Sequence, residues 1–345
     1  MTSQKFTLLG KKFEELMKRG IVPKESLLKE SGFSEEQIKK MLGRDVEGGR
    51  IFEQRVEKEI YYRLIRETPP VVTQERVWQY AQCADRRKPY FWFQFPNTDW
   101  KKIILVPLSD LQWGSEECDV AQLKDYVKYI GENDHVFAFL NGDILNNALP
   151  DSPGGSIFWD VARPREQVRT VIDLLAPIAH KILWALPGNH EERTIKRADI
   201  DPLFWICQKL GIPYSDQPIF ADILWRSHRF NFYCFHGISG SRTMGGKLNA
   251  PMRPIDWTEF TMFYIMGHVH EPMGNPVTRR CVLREYDSKG GLTGLRVVDR
   301  DQYVIICAAW LKFWGGYGAK MGFSPQSQGG TPCLLYKNGD YGISE

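Results

Sequence analysis

Four of the seven histidines lie in short polar clusters, and each cluster follows directly after a run of apolar residues. The same clusters hold aspartate, asparagine and glutamine side chains, whose oxygen atoms join the imidazole nitrogens as ligands that divalent metal ions accept. In chain order they are Ser109-Asp110-Leu111-Gln112, Asn141-Gly142-Asp143, Gly188-Asn189-His190-Glu191, His236-Gly237 and Gly267-His268-Val269-His270. One such cluster is a weak signal, because a Gly-Asn turn and a lone histidine are common structural features. Five together predict a metal site, since buried polar groups without partners would otherwise destabilise the fold.

The apolar runs before the clusters are expected to be buried strands, and polar turns at strand ends are where active sites form. These runs span residues 103–108, 136–140, 182–186, 230–235 and 262–266. Helices are expected over Asp119 to Ile130, closed by Gly131, over Arg163 to Lys181, interrupted near Pro177, and over Asp201 to Leu210, closed by Gly211. Residues 219–235 and 277–309 are rich in β-forming types. The pattern predicts an α/β domain from about Asp99 to the C-terminus.

The order of the five clusters resembles the motifs of the calcineurin-like metallophosphoesterase superfamily, and the resemblance extends over Ser109 to His270. It implies a four-layered α/β/β/α sandwich that occupies residues 99–345. It also implies two divalent metal ions and hydrolysis of a phosphoric ester, by in-line attack of a hydroxide that bridges the ions.

The resemblance also assigns roles to individual residues. Asp143 matches the carboxylate that bridges the two ions. Asp110, Gln112 and His270 match the ligands of the first ion, while Asn189, His236 and His268 match those of the second. His190 matches the residue that protonates the leaving oxygen, which is the catalytic acid. Asn189, Arg193 and Arg242 are the candidates for holding the phosphate of the substrate.

Gln112 departs from the commonest pattern of the superfamily, which has histidine at this place. An amide oxygen is a harder and weaker ligand than imidazole, so Mn²⁺ is the expected metal, with Mg²⁺, Fe²⁺ or Zn²⁺ as alternatives. The Asp-x-Gln variant resembles the manganese-dependent ADP-ribose/CDP-alcohol diphosphatases. The following Trp113-Gly114-Ser115 is instead similar to SbcD-type nucleases and archaeal polymerase small subunits, and the remaining spacing to phage and bacterial members.

Three functions are therefore open. The first is a metal-dependent phosphodiesterase or nuclease that acts on DNA or RNA, which the N-terminal region and a basic aromatic segment favour. The second is a manganese-dependent nucleotide diphosphatase, which Gln112 favours. The third is a scaffold that has lost catalysis, which the complete set of ligands and His190 disfavour. The expected partner is a phosphodiester substrate, with nucleic acid as one class of it.

Composition limits the partners and the cellular compartment that can be expected for the protein. The chain has 345 residues, of which 43% are hydrophobic, and a formal net charge of only +3, so charge does not demand a polyanionic partner. The seven cysteines form no Cys-x-x-Cys pair and are expected to be reduced thiols. The first residues carry no long apolar segment, and no run approaches the roughly 18 apolar residues of a membrane span. A cytoplasmic protein without a membrane partner is the expectation.

Residues 1–67 contain many Lys and Glu residues, with apolar residues at helical spacing, and this pattern predicts a small helical unit. Within it, Lys24 to Arg44 resembles a helix-turn-helix, and Ile51 to Glu67 is expected to form a further helix. Two roles are open for it: docking or self-association through its helices, and contact with nucleic acid. Residues 68–98 are expected to be a linker with a segment, 76–95, that is dense in aromatic and basic residues. That segment is interpreted as an edge strand whose rings cover a core, or as a stacking surface for single-stranded nucleic acid.

Overall fold

The structure is a computed structural model that describes residues 21–23, 34, 36, 51–56, 59–64, 79–82, 89–152, 160–237, 239, 241, 243–286, 292–312 and 328–344. It divides the chain into two compact units, Met1–Pro69 and Pro70–Glu345. The predicted metal-binding residues all belong to the second unit.

The first unit contains a three-stranded antiparallel sheet in the order β1-β3-β2. Its strands are β1 (Ile21–Pro23), β2 (Ile51–Val56) and β3 (Glu59–Leu64). The helix predicted over Ile51 to Glu67 is therefore wrong, because the β-branched and aromatic residues concentrated in this segment favour extended backbone. Of the segment that resembles a helix-turn-helix, only Ser34 and the helical Glu36 are described, so that prediction lies outside the described residues.

Two mixed sheets form the second unit, which is of the α/β class. The seven-stranded sheet has the order β12-β13-β11-β10-β9-β5-β4, and the five-stranded sheet has the order β15-β14-β6-β7-β8. The strands are β4 (Gln79–Gln82), β5 (Tyr90–Phe95), β6 (Lys102–Leu108), β7 (Val136–Asn141), β8 (Ile182–Leu186), β9 (Ile219–Trp225), β10 (His228–Phe235), β11 (Phe263–Met266), β12 (Met273–Tyr286), β13 (Leu292–Ile306), β14 (Cys333–Tyr336) and β15 (Tyr341–Ile343).

Segment 68–98, predicted as a linker with an aromatic and basic segment that forms an edge strand, contributes two strands to the seven-stranded sheet. Strand β4 lies at the edge of that sheet, and β5 lies between β4 and β9. The reason is the alternation within β5, where Phe91, Phe93 and Phe95 point into the core and are at most 1% exposed. This observation confirms the interpretation that these rings cover a core. It leaves Tyr90 and Trp92 on the opposite face of the strand.

The main core contains side chains from both sheets. Phe91 and Phe232 from the seven-stranded sheet belong to the same cluster as Ile103 and Phe139 from the five-stranded sheet. Alternate residues of β6 and β7, such as Val106 and Ala138, belong to a second cluster on the other face, together with helix residues. A third cluster covers the outer face of the seven-stranded sheet around Tyr233 and Tyr264. Each sheet is therefore buried on both faces, at least in part.

The described residues of the second unit form five α-helices: α1 (Val120–Glu132), α2 (Pro164–Leu175), α3 (Asn189–Ala198), α4 (Pro202–Leu210) and α5 (Met244–Met252). The three predicted helices are confirmed as α1, as α2 followed by the 3₁₀ segment Ala176–Lys181, and as α4. The predicted end of the first helix at Gly131 is wrong, because α1 continues through Gly131 to Glu132. Asp119 and Asp201 cap α1 and α4 through their side chains, and Gly211 ends α4 with φ 66°. Helix α2 ends two residues before Pro177, whose ring is incompatible with a continuing α-helix.

The structure bears on the predictions about cysteines and membrane spans. The six cysteines among the described residues are all free thiols. Within the described part of the chain, each helix is too short or too polar to cross a membrane.

Candidate metal centre

The five polar clusters converge because their strands are parallel within each sheet. Strands β6, β7 and β8 run parallel in the five-stranded sheet, and β10 and β11 run parallel in the seven-stranded sheet. Each cluster begins at or just after the carboxyl end of one of these strands, so the clusters of a sheet meet at one edge. The two sheets share a core, and their edges bring all five clusters together.

Two groups of ionisable side chains have the spacing of metal ligands. One consists of Asp143, His236 and His268, and the other of Asp110, Asp143 and His270. Within each group, one donor atom per residue lies within 4.8 Å of the others. Asp143 belongs to both groups, so a single buried carboxylate links two adjacent places for a cation. These side chains can hold a metal ion.

Two amide side chains complete the surroundings of these groups. Oδ1 of Asn189 lies 2.7 Å from Nδ1 of His268 and 3.2 Å from Nε2 of His236. Nε2 of Gln112 lies 3.3 Å from Nε2 of His270, so its amide reaches the other group. The seven residues that the sequence predicted as ligands are thus all assembled in one place, with each amide on the side where the resemblance assigned it.

The backbone at these residues is unusual. Eight non-glycine residues of the described chain have positive φ, and five of them are predicted ligands: Asp110 (54°), Gln112 (44°), Asp143 (52°), His268 (69°) and His270 (63°). This left-handed region costs most residues of the order of 1 kcal/mol or more, and such strain concentrates at functional sites. The conformation turns the side chain sharply at the end of each strand, which is what aims it at the common centre.

Two glycines allow the loops to approach each other. A Cβ atom on Gly188 would lie 2.2 Å from Oδ1 of Asp143, and one on Gly142 would lie 2.4 Å from Nδ1 of His236. Gly142 also has φ 86°, which a side chain would strain. Both positions therefore require glycine for Asp143 and His236 to stand where they do.

Glu191 holds two of the loops together. It is 0% exposed, and its carboxylate accepts hydrogen bonds from the backbone N–H groups of Gly188 (2.8 Å), Asp143 (3.0 Å) and Leu145 (2.9 Å). The bond to Gly188 also caps the start of α3, because Glu191 is the third residue of that helix. Burial and the charge of Asp143 raise the pKa of Glu191 to about 7, although the N–H donors act in the opposite direction.

His190 is positioned by the loop that follows Asp143. Its Nδ1 lies 2.8 Å from the carbonyl oxygen of Asn146, and its Nε2 lies 3.7 Å from Oδ2 of Asp143. Asn147, with φ 45°, donates from its amide to the carbonyl oxygen of His190 at 2.7 Å. The side-chain amide of Asn146 donates to Oδ1 of Asp160, and this bond also holds the loop that positions His190. The contact at Nδ1 leaves Nε2 as the atom that faces the centre.

The charges of the site are strongly coupled. Burial alone would raise the pKa of Asp143, but His236 and His190 outweigh it, and the pKa lies well below the usual range. For His236 burial lowers the pKa, yet the two aspartates raise it to about 10. Burial lowers the pKa of His190 to about 4. Without a metal ion, the centre therefore pairs an ionised Asp143 with a protonated His236.

The candidate phosphate-binding residues have different surroundings. Nη1 of Arg193 donates to the carbonyl oxygen of Asn146 at 3.0 Å, the same oxygen that His190 contacts. Among the described residues its remaining N–H groups have no hydrogen-bond partner, so they can donate beside the centre. Arg242 lies outside the described residues. Lys247, in the same loop region, forms an ion pair with Glu271, so its charge is already balanced.

The donor set fits a divalent cation. Two buried carboxylates, three imidazoles and two amides offer nitrogen and oxygen atoms, and a cation would neutralise the charge of Asp110 and Asp143. Compared with known proteins, the chain matches no protein-family model and no curated protein. The site therefore has to be interpreted from its own geometry.

Several supporting residues had no predicted role. Ser109 donates to Oδ2 of Asp110 at 2.6 Å, and the carbonyl oxygen of Asn141 lies 2.9 Å from Nδ1 of His236. These residues and Glu191 belong to the clusters, but a side chain that acts through a backbone N–H or C=O leaves no distinctive spacing in a sequence. For Asn147 there was a signal, since asparagine is among the few residues that tolerate the left-handed region.

Proposed function

We propose that this protein is a metal-dependent phosphoric ester hydrolase, and that its substrate is a phosphodiester of DNA or RNA. The observation that carries the proposal is the position of Asp143, which is shared by two groups of potential ligands. A carboxylate between two adjacent cation sites is the arrangement of two-metal hydrolases, whose ions stand roughly 3.5–4 Å apart. Mn²⁺ is the proposed metal, because two of the seven donors are amides and two are carboxylates.

The contacts between the side chains divide the proposed ligands between the two sites. Asp110, Gln112 and His270 would hold one ion, and Asn189, His236 and His268 the other, with Asp143 between them. When bound, the ions would neutralise the charge of a phosphate and generate a nucleophile from water at neutral pH. The fold that supports this site is proposed to be a four-layered α/β/β/α sandwich, since helix residues pack on the outer faces of both sheets.

The residues of the chain itself would perform the remaining steps. Arg193 would hold a phosphate oxygen through the N–H groups that Asn146 does not engage. His190 would deliver a proton from Nε2 to the leaving oxygen, since its Nδ1 is engaged by the carbonyl oxygen of Asn146. The pKa of about 4 leaves His190 neutral in the free protein at pH 7, so the negative charge of the bound phosphate would have to raise it.

A nucleotide diphosphatase is the second candidate function. The contact between Gln112 and His270 favours this function, because a glutamine beside the metal centre is consistent with the Asp-x-Gln variant of the diphosphatases. Both functions use the same centre, and only the substrate distinguishes them.

The experiment that tests the proposal is a metal-dependent assay of the full chain. Hydrolysis of bis-p-nitrophenyl phosphate, single-stranded DNA, RNA and ADP-ribose would be measured with added Mn²⁺ and with EDTA. Asp143→Asn should abolish hydrolysis, because the amide keeps the shape but loses the charge between the two sites. Asp99→Asn is the matched control, since Asp99 lies on the surface in an ion pair with Arg226. Full activity of Asp143→Asn would overturn the proposal.

A further inference from the structure

A large cavity lies on the outer face of the seven-stranded sheet, away from the metal centre. Its volume is about 610 Å³, and its floor is formed by β5, β9 and β10. None of the predicted metal ligands is among its lining residues. Arg229, at the far end of β10, lies seven residues before His236, which is roughly 23 Å along an extended strand. A mononucleotide bound at the metal centre would not reach Arg229.

The walls of the cavity are aromatic. Phe220 and Trp257 line it with 38% and 62% of their surfaces exposed, and Tyr233 lies between them with ring-centroid distances of 4.8 Å and 5.5 Å. Large rings of this kind are normally buried, and exposed rings at the rim of a concave surface are typical of ligand sites. A flat aromatic ligand can stack on them.

One polar cluster lies at the floor. Asp222 is only 3% exposed, and its Oδ2 accepts hydrogen bonds from Tyr90 and from Nε of Arg229, the latter at 2.8 Å. Among the described residues, Oδ1 of Asp222 has no hydrogen-bond donor. The guanidinium of Arg229 engages the carboxylate through Nε, and the Arg229 side chain is 62% exposed. Its terminal N–H groups are further donors. The cavity thus offers one acceptor and several donors side by side.

The cavity is held open by the chain around it. The amide of Asn231 donates to the carbonyl oxygen of Phe260 at 2.7 Å and accepts from the backbone N–H of Met262 at 2.9 Å. Thr258 is fixed by bonds to Pro254 and Tyr264. Because these bonds pin the wall that carries Trp257, the cavity is formed without a ligand.

The charges select among ligand classes. Arg229 already balances Asp222, so a cation gains little there. With Asp222 and Arg229 balanced, the nearby Glu259 leaves a negative charge that repels an anion such as a phosphate. A neutral ligand remains, planar enough to stack and with an N–H donor beside a C=O acceptor. Nucleobases such as guanine and uracil have this edge.

We propose that this cavity binds a nucleobase, which stacks on Trp257 and Phe220 and exchanges hydrogen bonds with Asp222 and Arg229. A free nucleoside and a base of an unpaired nucleic-acid strand offer the same chemistry. The site is independent of the metal centre, so its occupation does not require the hydrolase function proposed above.

Binding to the full chain is measured by isothermal titration calorimetry in EDTA, which keeps the metal centre unloaded. The probes are guanosine, uridine, a single-stranded hexanucleotide and ribose 5-phosphate. The two nucleosides should bind and ribose 5-phosphate should not. A hexanucleotide that competes with the nucleosides identifies an unpaired strand as the source of the base, and one that does not compete identifies free nucleosides.

Trp257→Ala should weaken nucleoside binding by about tenfold or more, which is the usual effect of removing a ring on which a base stacks. Arg229→Lys should also weaken it, because the ammonium keeps the charge but loses the planar donors. Trp205→Ala is the matched control, since Trp205 is 60% exposed and lies on α4 outside the cavity. Circular dichroism verifies that each variant folds. Failure of both nucleosides to bind at millimolar concentration, or equal losses in Trp257→Ala and Trp205→Ala, would overturn the proposal.

Discussion

Nε2 of His236 lies 3.2 Å from Oδ2 of Asp143, and both side chains are almost completely shielded from solvent. In the absence of a metal ion, the protonated imidazole supplies the positive charge beside the carboxylate. Its pKa of about 10 means that the proton stays bound throughout the neutral range. A metal ion that uses His236 as a ligand must therefore displace this proton.

The first prediction follows from that competition. Below about pH 10 the affinity for Mn²⁺ should rise about tenfold per pH unit for each displaced proton, and the dependence should disappear once His236 is neutral. Burial lowers the pKa of His270, but the aspartates outweigh it and the pKa is raised, so a second displaced proton can add to this dependence. Calorimetric titrations in buffers with different ionisation enthalpies count the released protons. Binding of Mn²⁺ at pH 7 without proton release would contradict the assignment of His236 as a ligand.

The second prediction concerns metal preference. Gln112→His should increase the affinity for Zn²⁺ relative to Mn²⁺, because imidazole replaces an amide oxygen beside His270. The backbone at Gln112 is left-handed with φ 44°, as it is at His268 and His270, so a histidine is accommodated there without new strain. Competition titrations with the two metals give the ratio of affinities.

Gln94→His is the control for this change, since Gln94 is exposed on β5 and is not a predicted ligand. Its metal preference should equal that of the unmodified chain. If the profile of Gln112→His is also unchanged, Gln112 does not contact the metal.

The third prediction assigns a positioning role to Glu191. Glu191→Gln replaces one oxygen by an amino group that cannot accept a hydrogen bond, so at least one buried N–H among Gly188, Asp143 and Leu145 loses its partner. The expected loss of unfolding free energy is about 1–3 kcal/mol, together with weaker metal binding as the Asp143 loop shifts. Urea denaturation and metal titration measure the two effects. Glu192→Gln, in an exposed ion pair with Lys196, should change neither.

Most of the site could be predicted from the sequence, because its signal is local. Each ligand follows an apolar strand directly, and strand ends that lie parallel must meet, so the order of residues determines their assembly. The helix α3 was missed for a related reason. The sequence predicts only a turn at Gly188-Asn189-His190-Glu191, although Glu191 at the third helical position is a capping signal.

The fold outside the motifs was harder to predict. In segment 51–64 the charged residues suggested a helix, whereas pairing between β2 and β3 decides its structure. For segment 76–95 the sequence predicts an edge strand or a stacking surface, whereas β5 lies between β4 and β9, and β9 comes more than 120 residues later in the chain. The cavity around Asp222 has the same origin. Asp222 and Arg229 lie on the consecutive strands β9 and β10, but Tyr90 lies on β5, more than 120 residues earlier, and no local pattern marks the three.

The last prediction separates proton delivery by His190 from metal binding. His190→Ala should retain its metal ions, because Nδ1 of His190 is engaged by Asn146 and His190 belongs to neither of the two groups of potential ligands that share Asp143. Its rate on DNA or an alkyl ester should fall by about 10²–10⁴, since the leaving alkoxide needs a proton. A p-nitrophenyl ester leaves without one, so its rate should fall much less. Rates on both substrates are compared with the metal content of the variant.

His228→Ala, which alters a histidine at the opposite end of β10, should behave like the unmodified chain. Equal losses on the two substrates, or loss of metal from His190→Ala, would show that His190 serves as a ligand or a support for Asp143 instead of an acid.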